Sequence, residues 1–271
     1  MKLATQIIED IRNGQADALL TDIYVDESLL DTQKERYITA IEKFISLYGD
    51  KEVEVFSAPG RSEVSGNHTD HQHGEVLAAA INLDIIAITA PRAGVVKVLS
   101  DDYATIPTEM KEVAHFFGKE FLREVSEEEF KAHIPELREK MSDRCVIRAL
   151  HFFKEDTRVE KAVSALKNND FDTFKSVIKS SGDSSNKYLQ NIYSNHDETN
   201  QAVSIALGLS EDILGDKGVC RVHGGGFAGT IQAFVEDDYV ETYKTEIEKY
   251  FGEGSCHILK VRKYGGKKVE L

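Results

Sequence analysis

With 271 residues, 41% of them hydrophobic and 30% charged, and only 4 prolines, the chain has the make-up of an ordinary globular protein. That excludes disorder or a collagen-like repeat as a global description. Lysine and arginine number 33 against 47 acidic residues, a formal charge of −14, and no long basic run occurs, so nucleic acid is not expected as a partner.

At roughly 150 residues per domain, the length predicts about two domains, which together bury on the order of 75% of the unfolded surface without disulfide or metal staples. The segment from Met1 to Asp10 has no apolar core long enough for a signal peptide. Nowhere does an apolar run approach the roughly 18 residues of a membrane span, so a cytoplasmic protein without a membrane partner is expected. Cys145, Cys220 and Cys256 are widely spaced with no C-x-x-C pair. They read as buried thiols rather than as disulfides or zinc ligands.

Taken along the chain, the first part reads helix, helix, strand. Tyr37, Ile38, Ile41, Phe44, Ile45 and Tyr48 recur at helical steps, and Gly49 is suited to end that helix in a left-handed conformation. Val53 and Val55 alternate with Glu52 and Glu54 as in a strand, and Val76–Ala90 is long, apolar and rich in β-branched residues. The turn Pro91–Gly94 predicts a hairpin from this strand to Val95–Leu99. Between Phe56 and Val76 a polar loop crowded with histidines is expected.

Helices follow. Met110, Val113, Ala114 and Phe117 form one stripe, Ser126 with Glu129 is a capping-box pattern, Val146, Leu150 and Phe153 mark a further helix, and Asp170 is placed to cap the next. The last quarter predicts strands at Val219–Val222 and Thr230–Val235, a helix through Val240, Tyr243, Ile247 and Tyr250, and a strand at His257–Val261. The basic tail carrying Lys260, Arg262, Lys263, Lys267 and Lys268 is expected to be solvated.

Two loops hold residues capable of chemistry. In the first, Ala58 to Gly74, His68, Asp70, His71 and His73 are metal-ligand types, but their spacing matches no defined site and no metal is expected. A polar loop that hydrogen-bonds a polyhydroxylated ligand fits these residues better, because Asp and Asn pair with hydroxyls and His can donate or accept. The second loop holds Gly224, Gly225, Gly226 and Gly229. It satisfies G-x-G-x-x-G, yet a dinucleotide site needs a helix after that pattern and here a strand follows. Alone it reads equally as a tight turn or as a ligand loop.

Together the two loops resemble the first and last signature motifs of the galactokinases, members of the GHMP family of small-molecule kinases. The resemblance rests on Ala58-Pro-Gly-Arg61, on Gly66-Asn-His-Thr-Asp70-His with Val76 to Ile81, and on Arg221 to Thr230. It implies an α+β, GHMP-kinase-like two-domain architecture, with a shortened N-terminal domain over residues 1–100 and a C-terminal domain over 101–271 containing a helical and a ferredoxin-like part. By the same resemblance His68 and Asp70 bind galactose hydroxyls, Tyr103 lines the sugar pocket, and Arg61 stabilises charge near the sugar 1-hydroxyl. Asn67 stands where most members have Glu, so that sugar contact is altered.

The family's P-x-x-x-G-L-S-S-S-A phosphate loop and the G-L-x-D-Q segment with the catalytic Asp do not occur in this sequence. The nearest segments, Ser180 to Ser185 and Leu209 to Asp212, lack the accompanying residues; Asp101 or Asp102 is a candidate substitute base. The implied activity is phosphorylation of galactose at its 1-hydroxyl with ATP and Mg, impaired or abolished by these absences, since phosphoryl transfer depends on clamping the phosphates. The alternative is a non-catalytic sugar-binding, regulatory or assembly module. A shortened domain would also leave sheet edges or apolar surface open, which predicts a homo-oligomer.

Overall fold

In the computed structural model, which describes residues 2–90, 105–193, 199–227 and 229–270, the elements run β1 (Lys2–Leu3), α1 (Ala4–Arg12), α2 (Asp17–Tyr24), α3 (Leu30–Tyr48), β2 (Glu52–Ser65) and β3 (Leu77–Thr89). Then come α4 (Thr105–Phe116), α5 (Glu127–Ala132), α6 (Ile134–Lys140), α7 (Asp143–Lys167), α8 (Phe171–Ser184) and α9 (Ala202–Leu214). The chain closes with β4 (Gly218–Val222), β5 (Ile231–Val235), α10 (Val240–Phe251) and β6 (Lys267–Val269). The expected hairpin partner at Val95–Leu99 with its turn Pro91–Gly94, and Asp101, Asp102, Tyr103 and Ala228, lie outside the described residues.

Two compact units emerge, one from Met1–Ser62, Ala79–Leu99 and Ile258–Leu271, the other from Glu63–Ala78 and Ser100–His257. Against the expected domains of residues 1–100 and 101–271, two described segments fall in the other unit. Residues 63–78 leave the first unit because their polar loop is bonded to helices of the second. Residues 258–271 return to the first because β6 pairs with β2.

In the first unit Ala4, Ile7, Ile8 and Ile11 place one buried stripe on α1, which meets Leu20, Ile23, Tyr24, Tyr37, Ile41, Val53, Val55 and Val269 in a single core. Each fully buried Leu or Ile contributes about 1.5–3 kcal/mol. Gly49 ends α3 at φ 80, its N–H donating to the Ile45 carbonyl at 2.8 Å. β2 pairs antiparallel with β1 at Lys2↔Val53 and with β6 at Val55↔Val269, and β3 is its further neighbour.

Arg262, expected in a solvated tail, is buried. Its Nη1 donates to Ser57 Oγ at 2.9 Å and lies 3.6 Å from the Asp84 carboxylate. Asp84 on β3 also accepts from Tyr24 OH at 2.6 Å, from Arg36 at 3.1 Å and from Ser57. One carboxylate thus gathers α2, α3, β2 and the C-terminal segment. The expected strand at His257–Val261 shrinks to one bridge, Ile81↔Val261. There the Asn82 side chain accepts the Lys260 N–H at 3.0 Å, taking a donor that a continuous ladder would give to a main-chain carbonyl.

The second unit is built on α7. Met110, Val113 and Ala114 of α4 pack with Leu122, Phe130, Leu137, Ala149 and Phe152, and Phe117 joins them part-buried. Ser126 Oγ accepts from Glu129 N at 3.1 Å and Asp170 Oδ1 from Thr173 N at 3.0 Å, so both expected caps form. β4 and β5 pair antiparallel from Gly218↔Val235 to Val222↔Ile231. α8 packs on β4 through Phe174, Val177, Ile178 and Val219, while Leu214, Cys220, Tyr243 and Ile247 seat α9 and α10. Cys145 and Cys220 are buried as expected; Cys256 is only part-buried.

Candidate functional site

The histidine loop is shorter than its sequence indicated, because β2 continues through Pro59 and Gly60 to Ser65. It starts at Gly66, with φ 102, where an added Cβ would sit 2.6 Å from the Glu75 carbonyl oxygen, so no other residue fits the neck. Within the loop His68 and His73 hold φ 56 and 58. Non-glycine residues in that region store strain and persist only where surrounding bonds enforce it.

Those bonds come from α7. Glu155, fully buried, accepts from the N–H groups of Gly66 and Asn67 at 3.2 and 3.4 Å and from Ser181 Oγ at 2.6 Å. Arg158 donates to its other oxygen at 2.7 Å, and Arg221 stands 3.8 Å away. Burial works to raise the Glu155 pKa, but His151, the two arginines and the Ser181 hydroxyl more than offset it, and the group stays below the usual carboxylate range. One turn earlier, His151 Nε2 lies 2.9 Å from the Asn67 carbonyl and Nδ1 lies 3.0 Å from Ser184 Oγ. A carbonyl only accepts, so Nε2 carries a proton and donates it to Asn67. Desolvation lowers the pKa of this histidine, and the Glu155 carboxylate beside it partly opposes that shift.

Asn67 is completely buried. Its Nδ2 donates to Gly224 O at 2.6 Å and to Glu63 Oε1 at 3.0 Å, while its Oδ1 accepts from Asn191 Nδ2 at 3.1 Å and Ser185 Oγ at 3.2 Å. All four hydrogen-bonding positions of the amide are taken within the protein. Arg221, equally buried, braces the same corner through Glu63 at 2.6 Å and Ser181 at 2.8 Å. The two loops singled out in the sequence therefore meet through Asn67 and through His68, whose Nε2 donates to Gly225 O at 3.3 Å.

His68 is part-buried and Asp70 exposed. Burial lowers the His68 pKa, leaving a neutral ring with Nδ1 as its acceptor. His73 stacks on Phe121 with ring centroids 3.7 Å apart. Arg61 is exposed on β2 in the first unit. Tyr103 lies outside the described residues.

The glycine loop is tied down by two of its amides and two of its carbonyls. Phe227 N donates to Asn191 O at 2.8 Å and Gly226 N to His223 O at 3.5 Å, while Gly224 and Gly225 give their carbonyls to Asn67 and His68. Gly229 has φ 91 and open space around it. Among the described residues no group of three His, Cys, Asp or Glu is placed to hold a metal ion. No described helix is long and apolar enough to cross a membrane.

Residues 42–91, which contain this loop, match the galactokinase galactose-binding signature. The chain is a relative of the galactokinases. Galactokinase of Haemophilus influenzae (strain ATCC 51907 / DSM 11121 / KW20 / Rd) is 32% identical over 147 residues, which cover 54% of this chain and 36% of that protein. The galactokinase of Thermotoga petrophila is 34% identical over 161 residues, 56% of this chain and 40% of that one. The matches thus span little more than a third of the length of these galactokinases. In fold, the chain is similar to Lactococcus lactis galactokinase complexed with galactose, with a TM-score of 0.64 at 14% identity, covering 85% of this chain and 99% of that one. The architecture is α+β and GHMP-kinase-like.

Sequence reasoning missed the clamp formed by His151, Glu155, Ser181, Asn191 and Arg221. A signal was present: His151 and Glu155 stand four apart beside the apolar stripe of Val146, Leu150 and Phe153, and buried ionisable residues need partners.

Proposed function

We propose that this chain binds a galactose-like sugar through the loop around His68 and Asp70, and that phosphoryl transfer from ATP is impaired or absent in it. The observation that carries the reading is the clamp of Glu155, His151 and Asn67, which holds the loop in a strained left-handed path while leaving Asp70 exposed. The exposed Asp70 side chain and a neutral His68 whose Nδ1 accepts suit adjacent hydroxyls of a sugar. Asn67, with its amide fully engaged, positions these two rather than touching the ligand. Arg61 and Tyr103 complete the proposed set by resemblance.

Impaired transfer is supported by the missing phosphate-loop motif. A homo-oligomer belongs to the same proposal, supported by Leu83, Ile85 and Val261, exposed by 49, 74 and 69%. So does cytoplasmic residence, supported by three unpaired thiols.

Titration calorimetry with galactose on the wild type and Asp70→Ala tests the sugar site. Saturable heat lost in the variant is expected, and equal heats in both would overturn the reading. A galactose-dependent ATP turnover assay tests the second half, with product clearly above blank as the contrary result.

A further inference from the structure

A groove of about 480 Å3 lies along α7 and α8 in the second unit, away from the residues of the sugar loop, lined by Lys154, Thr157, Arg158 and Lys161 of α7 and by Ser176, Val177 and Ser180 of α8, with Glu127 at one side. Lys154, Arg158 and Lys161 follow the i, i+4, i+7 spacing that puts side chains on one helical face. Ser176 and Ser180 repeat it across the groove. All the polar lining except Glu127 offers hydrogen-bond donors.

The charges there are unevenly compensated. Arg158 is paired with buried Glu155 at 2.7 Å and fixed by its Nε to Ser180 Oγ at 3.0 Å, which orients the guanidinium and leaves Nη2 without a partner among the described residues. Glu127 is paired with Lys131 at 2.7 Å. Lys154 and Lys161 have neither an ion-pair partner nor a hydrogen bond among the described residues. In a chain carrying −14, two uncompensated ammonium groups beside a pre-oriented arginine and two serine hydroxyls form a concentrated positive site. The lysines stand two turns apart, about 10 Å along the axis, which is wider than one phosphate and suited to two joined ones.

We propose that this groove binds the diphosphate group of a small anionic molecule. Lys154 and Lys161 hold its two ends, with Arg158, Ser176 and Ser180 donating between them. The site does not depend on the sugar-binding reading.

Calorimetry on the full chain with inorganic pyrophosphate, in about 0.15 M salt to screen loose surface association, is the direct test. Saturable binding is expected, weakened at least about tenfold in a Lys154→Gln, Lys161→Gln double variant whose circular dichroism and galactose titration match the wild type. Inorganic phosphate should bind more weakly than pyrophosphate. The proposal is overturned if the wild type shows no saturable pyrophosphate binding, if the double variant titrates identically, or if only vesicles of phosphatidylcholine with phosphatidylserine are bound, which would assign the groove to a membrane surface.

Discussion

Asn67 donates its side-chain amide to the carbonyl of Gly224 at 2.6 Å, joining two loops that lie 157 positions apart in the chain. Replacing Asn67 by Asp turns that donor into an acceptor facing two others, Gly224 O and Glu63 Oε1. Each buried group left unpaired costs about 1–3 kcal/mol. Asn67→Asp should therefore lower the urea midpoint clearly and weaken galactose binding along with it; an unchanged midpoint would show that the two loops are held by other means.

Two glycines of the second loop should respond differently to alanine. A Cβ on Gly226 would lie 1.9 Å from the Asn191 carbonyl oxygen, at φ 70, whereas one on Gly224, at φ 58, meets nothing within 4 Å. Gly224→Ala pays only for left-handed backbone, about 1–2 kcal/mol. Gly226→Ala adds displacement of Asn191 and of the Phe227 N–H bond. Thermal melts of the pair check the order, and equal losses would contradict it.

Acid should loosen the second unit before it titrates ordinary surface carboxylates. Burial, reinforced by His68, pulls the His71 pKa down from 6.5 to about 4, and burial lowers His68 and His151 as well. A histidine with a depressed folded pKa binds its proton more readily when unfolded. Its stabilisation is complete above pH 6.5 and is lost as pH falls toward about 4. Glu155, also depressed, acts the same way at lower pH, its share being lost below the usual carboxylate value. Urea midpoints measured across this window should fall with pH and fall less steeply in His71→Gln, whose wild-type Nε2 is buried without a partner. A flat profile in the wild type would contradict the assignment.

In the first unit, burial separates two arginines that share Asp84. Arg262 is fully buried and Arg36 is 38% exposed. Asp84→Ala strands the buried cation and should cost about 3–5 kcal/mol, while Arg36→Ala removes a partly solvated pair worth about 0–1 kcal/mol. Denaturant titrations of both variants decide it; comparable losses would mean that burial does not set the ranking.

Much of this architecture was readable because it rests on local rules. Gly49, Ser126 and Asp170 announce helix ends through backbone freedom and side-chain acceptors, and the α4 stripe through helical spacing. What escaped was set by distant partners. Arg262 looks like tail charge until Asp84 and Ser57 are placed beside it, and β6 has no pattern of its own because β2 supplies its register. The loop residues named from the family motif include Asn67, but nothing local tells that its amide faces inward to Ser185 and Asn191. His151 and Glu155 carried a weak local signal, while the roles they play depend on residues more than 80 positions away.

The bond from Arg262 to Ser57 spans 205 positions. On a ribosome adding about 5–20 residues per second, the partners emerge some 10–40 s apart. During that interval α1, α2, α3 and β2 wait with Asp84 lacking its buried cation and the β6 side of β2 unpaired, while nearly all of the second unit is being made. The first unit to begin is thus the last to finish, and newly made chains carry their most aggregation-prone edge throughout the interval, the point at which a chaperone would have the most to protect.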